Sequence, residues 1–173
     1  MGQLLLLRHA KSAWDDPALS DHARPLNARG RRAAAAMAGA MRSLGLRPEL
    51  VLVSSSRRTL QTLEGLGALE GSPRVEPTDD LYLAPWTRLL DAIREVPDEV
   101  RSVLLIAHNP GLHDLALNLA PPDSGAPGRA LAEAYPTASL TEFAVEGPWG
   151  SLAPQGAKLV RFLQPKDLPE MAG

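Results

Sequence analysis

Apolar residues along this chain fall into short unbroken runs separated by stretches of helical spacing. Runs of strand length occupy residues 4–7, 50–53 and 103–107, with a shorter, weaker one near Val75. Continuous apolar runs bounded by polar residues mark strands covered on both faces, the rule in parallel sheets. Between the runs the period changes. Asn27, a good N-cap, opens a stretch rich in alanine over 33–41 that closes at Gly45, a natural C′ residue. Ser56 opens a second helix, with Leu60, Leu63 and Leu66 spaced for one face and Gly65 and Gly67 weakening its end. A third starts at Pro85, carries Leu89, Leu90 and Ile93, and stops before Pro97. A fourth follows Pro110-Gly111, with Leu112, Leu115, Ala116 and Leu119 on its apolar side.

Strands alternating with helices predict βαβ units, and hence a three-layer α/β/α architecture around a mostly parallel central sheet. Residues 121–136 interrupt the alternation: Pro121, Pro122, Pro127 and Pro136 with Gly125 and Gly128 predict a long loop placed to rim the site. Two further strands, 139–145 and 158–163, flank Gly147, Pro148 and Gly150, which predicts an antiparallel hairpin at a sheet edge. With no repeat and no linker, residues 1–173 are expected to form a single domain.

Charge narrows the partners. The 18 basic and 20 acidic residues include no basic block able to track a row of phosphates, so nucleic acid is not expected. The absence of cysteine removes thiolate nucleophiles and Cys-based metal sites. The run 4–7 is far shorter than the ~20 apolar residues of a membrane span. It also lacks a basic flank and a small-residue cleavage site, so no membrane association and a cytoplasmic location are expected. A bias toward Ala, Arg, Gly and Pro, with only three lysines, fits a GC-rich bacterial genome.

The chemistry lies at the strand ends. The first run delivers Arg8 and His9, the second Ser54 to Ser56 followed by Arg57 and Arg58, and the third clear one His108 and Asn109. In open α/β sheets the carboxyl ends of parallel strands share one rim, where ligands sit. Two arginines and two histidines converging there suit a small dianion such as phosphate, because guanidinium forks match its oxygens and imidazole can donate or attack. The spacing of His108 and His113 misses the i, i+4 face of a helical zinc motif, so no metal site is expected there. His113 is then read as a helix-surface residue and His22 as solvent-facing in a polar loop.

Four blocks carry a resemblance: Arg8-His9-Ala10-Lys11-Ser12, Asp21-His22-Ala23-Arg24-Pro25-Leu26, Arg58-Thr59-Leu60-Gln61-Thr62 and Ala107-His108-Asn109-Pro110-Gly111. Together they resemble the histidine phosphatase superfamily, whose fold is that of phosphoglycerate mutase. The segment 8–32 and the closing Gln164-Pro165-Lys166-Asp167-Leu168 are most similar to its SixA type of phosphohistidine phosphatase. The resemblance implies that His9 is the nucleophile and forms a covalent phosphohistidine, that Arg8, Arg58 and His108 hold the phosphoryl oxygens, and that no metal or cofactor takes part. Arg58 rather than Arg57 matches because it stands three residues before the Gln of a Gln-Thr pair. Arg24, Ser12 and Asn109 are candidates for substrate contact or for orienting the first set.

The chain departs from the family at one place. The family's mutase-like and acid-phosphatase-like members supply a carboxylate acid, commonly a Glu two residues after a leucine that follows the third strand, and here Leu81-Tyr82-Leu83 puts Leu83 there, with Asp79 and Asp80 nearby but out of pattern. General acid catalysis contributes ~10²- to 10⁴-fold, and its loss is least harmful when the leaving group departs easily. The gap therefore favours a P–N substrate, or an ester with an activated leaving group; the P–N case is a phosphorylated protein such as one carrying a histidine phosphotransfer domain, with inorganic phosphate as product. A small phosphorylated metabolite, hydrolysed with Asp79 or Asp80 as acid, is the alternative substrate. A non-catalytic phosphate-dependent binding module is the reading outside enzymology.

Overall fold

The computed structural model describes residues 1–171. Its strands are β1 (Gly2–Arg8), β2 (Leu50–Ser54), β3 (Arg74–Thr78), β4 (Ser102–Ala107), β5 (Leu140–Val145) and β6 (Ala157–Leu163). They form one sheet in the order β3-β2-β4-β1-β5-β6. The first four strands in that order run parallel, and β5 pairs antiparallel with both β1 and β6. Among the described strands β5 alone is reversed. The expected hairpin is thus present, its first strand stitched to the sheet centre and its second forming the edge.

The helices are α1 (Ala28–Ser43), α2 (Arg57–Gly65), α3 (Trp86–Arg94), α4 (Gly111–Leu119) and α5 (Gly125–Glu133). Because successive strand residues point to opposite faces, β1 feeds two cores. Leu4 and Leu6 join the cluster containing Leu89 and Ile93 of α3, Leu112 and Leu115 of α4, and Leu131 of α5. Leu5 and Leu7 pack with Met37 and Met41 of α1 and with Leu66 just beyond α2. That is the three-layer arrangement, with the central strands buried on both faces.

Local signals set the helix ends. Asn27 caps α1 by accepting from the Gly30 N–H at 2.8 Å. At the other end Gly45 adopts φ +68°, and the Gly45 and Leu46 N–H groups return to the carbonyls of Arg42 and Met41. This left-handed turn is the one glycine makes without steric cost.

Two expectations require correction. Residues 121–136 are not one long loop, since α5 occupies most of them. Pro127 falls in its first turn, where a missing N–H is no loss, so the proline that suggested irregularity is compatible with helix. The buried face of α2 is also more than a leucine face: Leu63 and Leu66 pack on the core as expected, but Arg58, Thr59 and Thr62 are buried as well and Leu60 is exposed.

Candidate active site

Parallel pairing brings the strand ends together. In register, Arg8 lies opposite Ala107 of β4, and Val53 of β2 lies opposite Ile106 on the other side of that strand. The residues that follow, His9, Ser54 and His108, therefore emerge on one rim. Arg58 reaches the same place from the first turn of α2, whose N-cap Ser56 accepts from the Thr59 N–H. Arg58 is buried and Arg57 exposed, as the Gln-Thr spacing requires.

A cavity of about 310 Å³ opens at this rim. Its lining includes all seven sequence-predicted residues, Arg8, His9, Ser12, Arg24, Arg58, His108 and Asn109, together with Lys11, Trp14, Leu83 and Thr137. Among the described residues no carboxylate lines it. Asp79 instead accepts a hydrogen bond from the Ser55 hydroxyl. Asp80 belongs to a separate cleft beside Leu50 and Arg74.

The hydrogen bonds assign the histidine tautomers. His9 Nδ1 lies 2.7 Å from the Ala10 carbonyl, which only accepts, so Nδ1 carries the proton and Nε2 keeps its lone pair. His108 Nδ1 lies 3.3 Å from Arg58 Nη2, an obligate donor, so its proton sits on Nε2, which donates to Ser54 Oγ at 2.7 Å. Burial pushes the His9 pKa down to about 4; the Ala10 bond opposes this, and the charges of Arg8, Arg58 and Arg24 reinforce it. Burial likewise pushes His108 down to about 3, helped by His9 and Arg58. Both rings are neutral at pH 7, and a neutral imidazole is the nucleophilic form. Their centroids stand 5.3 Å apart.

The cationic wall is held from behind. Arg58 donates to the Asp21 carbonyl at 2.7 Å and to Asp21 Oδ2 at 3.0 Å. Arg24 donates to Ser12 Oγ at 2.6 Å, to the Ala13 carbonyl at 3.1 Å and to Asp21 Oδ1 at 3.2 Å. Arg8 and Asn109 both donate to the Tyr135 carbonyl at 3.0 Å, so the chain leaving α5 buttresses the ends of β1 and β4. The Nε donors of Arg8 and Arg58 are buried with no partner among the described residues. Buried donors without a partner are costly, and here two of them belong to a cluster of positive charge suited to a tetrahedral anion.

Sequence reasoning did not single out Asp21. Its carboxylate holds two of the three pocket guanidiniums and accepts from the Tyr82 hydroxyl. The Tyr82 bond, then Arg58 and Arg24, outweigh partial burial and hold its pKa near 2. The available signal was the Asp21–Arg24 spacing of i, i+3, which puts such pairs in contact on a helical turn. Two expectations about other histidines fail. His22 is half-buried, bonded to Ser55 Oγ at 3.0 Å and edge-on to Tyr82. His113 ties α4 to α5 by donating to the Leu131 carbonyl at 2.6 Å.

The sequence model of the histidine phosphatase superfamily (branch 1) matches residues 4–95. The chain belongs to the histidine phosphatase superfamily. An uncharacterised protein of Mycobacterium tuberculosis is 33% identical over 162 residues, covering 92% of this chain and all of its own length. The phosphohistidine phosphatase SixA of Escherichia coli is 33% identical over 126 residues, covering 69% of this chain and 74% of its own. Among solved structures, a Nakamurella multipartitia protein provisionally assigned as phosphohistidine phosphatase SixA superposes with a TM-score of 0.83 at 31% identity, over 95% of this chain and 96% of its own. Family model, sequence relatives and fold agree with the resemblance drawn from the four blocks.

Proposed function

We propose that residues 1–173 form one histidine phosphatase domain that hydrolyses phosphohistidine on a phosphorelay or phosphotransfer protein in the cytoplasm. The carrying observation is the bare His9 Nε2 in a cavity with three guanidiniums and no carboxylate. In the first step the Nε2 lone pair attacks phosphorus in line while the substrate's P–N bond breaks. A phosphohistidine ring already protonated on its distal nitrogen departs as neutral imidazole, so the enzyme need not supply a proton. Water then attacks the phosphorus on His9, the new P–N bond breaks, and inorganic phosphate leaves.

Charge builds on the equatorial oxygens in both steps. Arg8, Arg24 and Arg58 supply fixed positive charge there, and that charge is what permits the reaction to run without a metal. Hydrolysis of a small-metabolite monoester needs an acid at the leaving oxygen, and Leu83 stands at the mouth while Asp79 is bonded to Ser55 and Asp80 lines a separate cleft. A pure phosphate-binding module has no use for a nucleophile with a free lone pair.

Rapid-quench experiments with a phosphohistidine protein and with phosphomonoesters test this reading. Wild type is expected to form an acid-labile label on His9 and to favour the P–N substrate by ~10²-fold or more, the scale of a missing general acid. His9→Ala is expected to lose the label and at least ~10³-fold in turnover. A preference for monoesters overturns the substrate assignment. Neither label nor turnover on any substrate overturns the phosphatase assignment.

A further inference from the structure

We infer that Trp14 is a stacking platform for the leaving imidazole, making the cavity mouth selective for a planar ring next to the phosphoryl group. This rests on the phosphohistidine reading and names what recognises the ring. The inference starts from an indole that sits at a cost. Trp14 is 77% exposed, whereas Trp149 is buried and Trp86 half-buried, and exposed aromatic surface is unfavourable unless something covers it.

The ring is nonetheless held in place. The Arg24 guanidinium lies over it, 3.4 Å from the ring centroid. Arg24 is itself fixed by Ser12, Ala13 and Asp21, so the face it covers is anchored to the pocket wall. With one face under Arg24 and most of the residue still exposed, the opposite face is open to whatever approaches. A guanidinium over an indole face is a cation–π contact, and it spares the residue the ordering cost an exposed Trp would otherwise incur on binding.

Leu83 belongs to the same mouth. It lines the cavity, is 54% exposed, and holds φ +50°, a left-handed conformation unusual for a leucine. Two large apolar side chains therefore rim a pocket whose interior is cationic. A substrate's phosphoryl group bound inside is joined covalently to a carrier that passes this rim. Charge complementarity places the phosphoryl group inside, and the apolar rim fits a neutral, flat, partly apolar carrier better than a hydrated sugar or a carboxylate. The imidazole of phosphohistidine is such a carrier.

The test compares two P–N compounds, 1-phosphoimidazole, which carries the ring, and phosphoramidate, which lacks it. The readout is the ratio of their kcat/KM values within each variant, so any general disturbance of Arg24 cancels. Trp14→Leu, which keeps apolar bulk but no aromatic face, is expected to lower the ratio about 5- to 10-fold, the scale of one aromatic stack. Trp14→Phe is expected to restore it to within about twofold of wild type, and Leu83→Ala to lower it about 2- to 3-fold. A ratio unchanged in Trp14→Leu overturns the platform while leaving the phosphatase reading intact. Turnover of neither compound by wild type overturns the phosphohistidine reading and the platform with it.

Discussion

At the scale of single residues, the pocket depends on Asp21, an exposed carboxylate that fixes Arg58 and Arg24 without lining the cavity. Asp21→Asn removes one charge-assisted partner from each guanidinium and is expected to lower kcat/KM ~10- to 100-fold, since such bonds are worth about 1.5–3 kcal/mol. Its titration gives a second check. The folded pKa of about 2 is depressed below the unfolded value of 3.8, so the stabilisation is fully present above about pH 4 and is lost as pH falls toward 2. The difference in unfolding midpoint between wild type and Asp21→Asn is therefore expected to be constant above pH 5 and to shrink between pH 4 and 2. A difference that persists at pH 2 assigns the effect to packing instead. Arg8, His9, Arg58 and His108 were legible as residues of one rim because residue type, strand end and motif spacing coincided, but the expected hold of His108 on phosphoryl oxygens was not, since its Nδ1 accepts from Arg58 and its Nε2 donates to Ser54. Asp21 was not legible, because its local spacing shows only Arg24, whereas Arg58 and Tyr82 reach it from 37 and 61 residues away.

At the scale of elements, two helix starts are pressed against the walls of the site. A Cβ on Gly30, near the start of α1, would stand 2.1 Å from the Lys11 carbonyl oxygen, and one on Gly111, at the start of α4, 2.0 Å from the Ala84 carbonyl. The first contact secures the segment just after His9, which also receives the Asn27 N–H at the Lys11 carbonyl. Gly30→Ala forces backbone apart and is expected to cost about 1–3 kcal/mol. The change reads as a lower denaturation midpoint at unchanged m-value, accompanied by reduced turnover as His9 shifts. Helices and strands with one dominant period were legible from sequence, α1 and β4 above all. α5 was hidden by Gly125, Pro127 and Gly128, whose statistics favour loops even though the first turn tolerates them. The burial at the start of α2 was obscured for another reason. Leu63 and Leu66 pack on the core as their spacing advertises, but nothing in that spacing shows that Arg58, Thr59 and Thr62 are buried too, with the Thr hydroxyls satisfied by the Ser54 and Arg58 carbonyls.

At the scale of the whole molecule, no short stretch contains the site. Arg8 becomes a wall of the pocket only when β1 lies beside β4, a pairing that joins Leu4 to Val103 across α1, α2 and α3. Its guanidinium is then held by the Tyr135 carbonyl, further along the chain still. Helices α1 to α3 close through local contacts, whereas the β1–β4 pairing is non-local and such strand pairing is slow. Recovery of turnover after dilution from denaturant is therefore expected to lag recovery of helical circular dichroism. Coincident recovery at all protein concentrations rules this order out. The same pairing has a meaning during synthesis. A nascent chain with its first three helices made but Ala107 still inside the ribosome lacks β4 and the His108 that follows it, so the residues of the rim are not yet brought together.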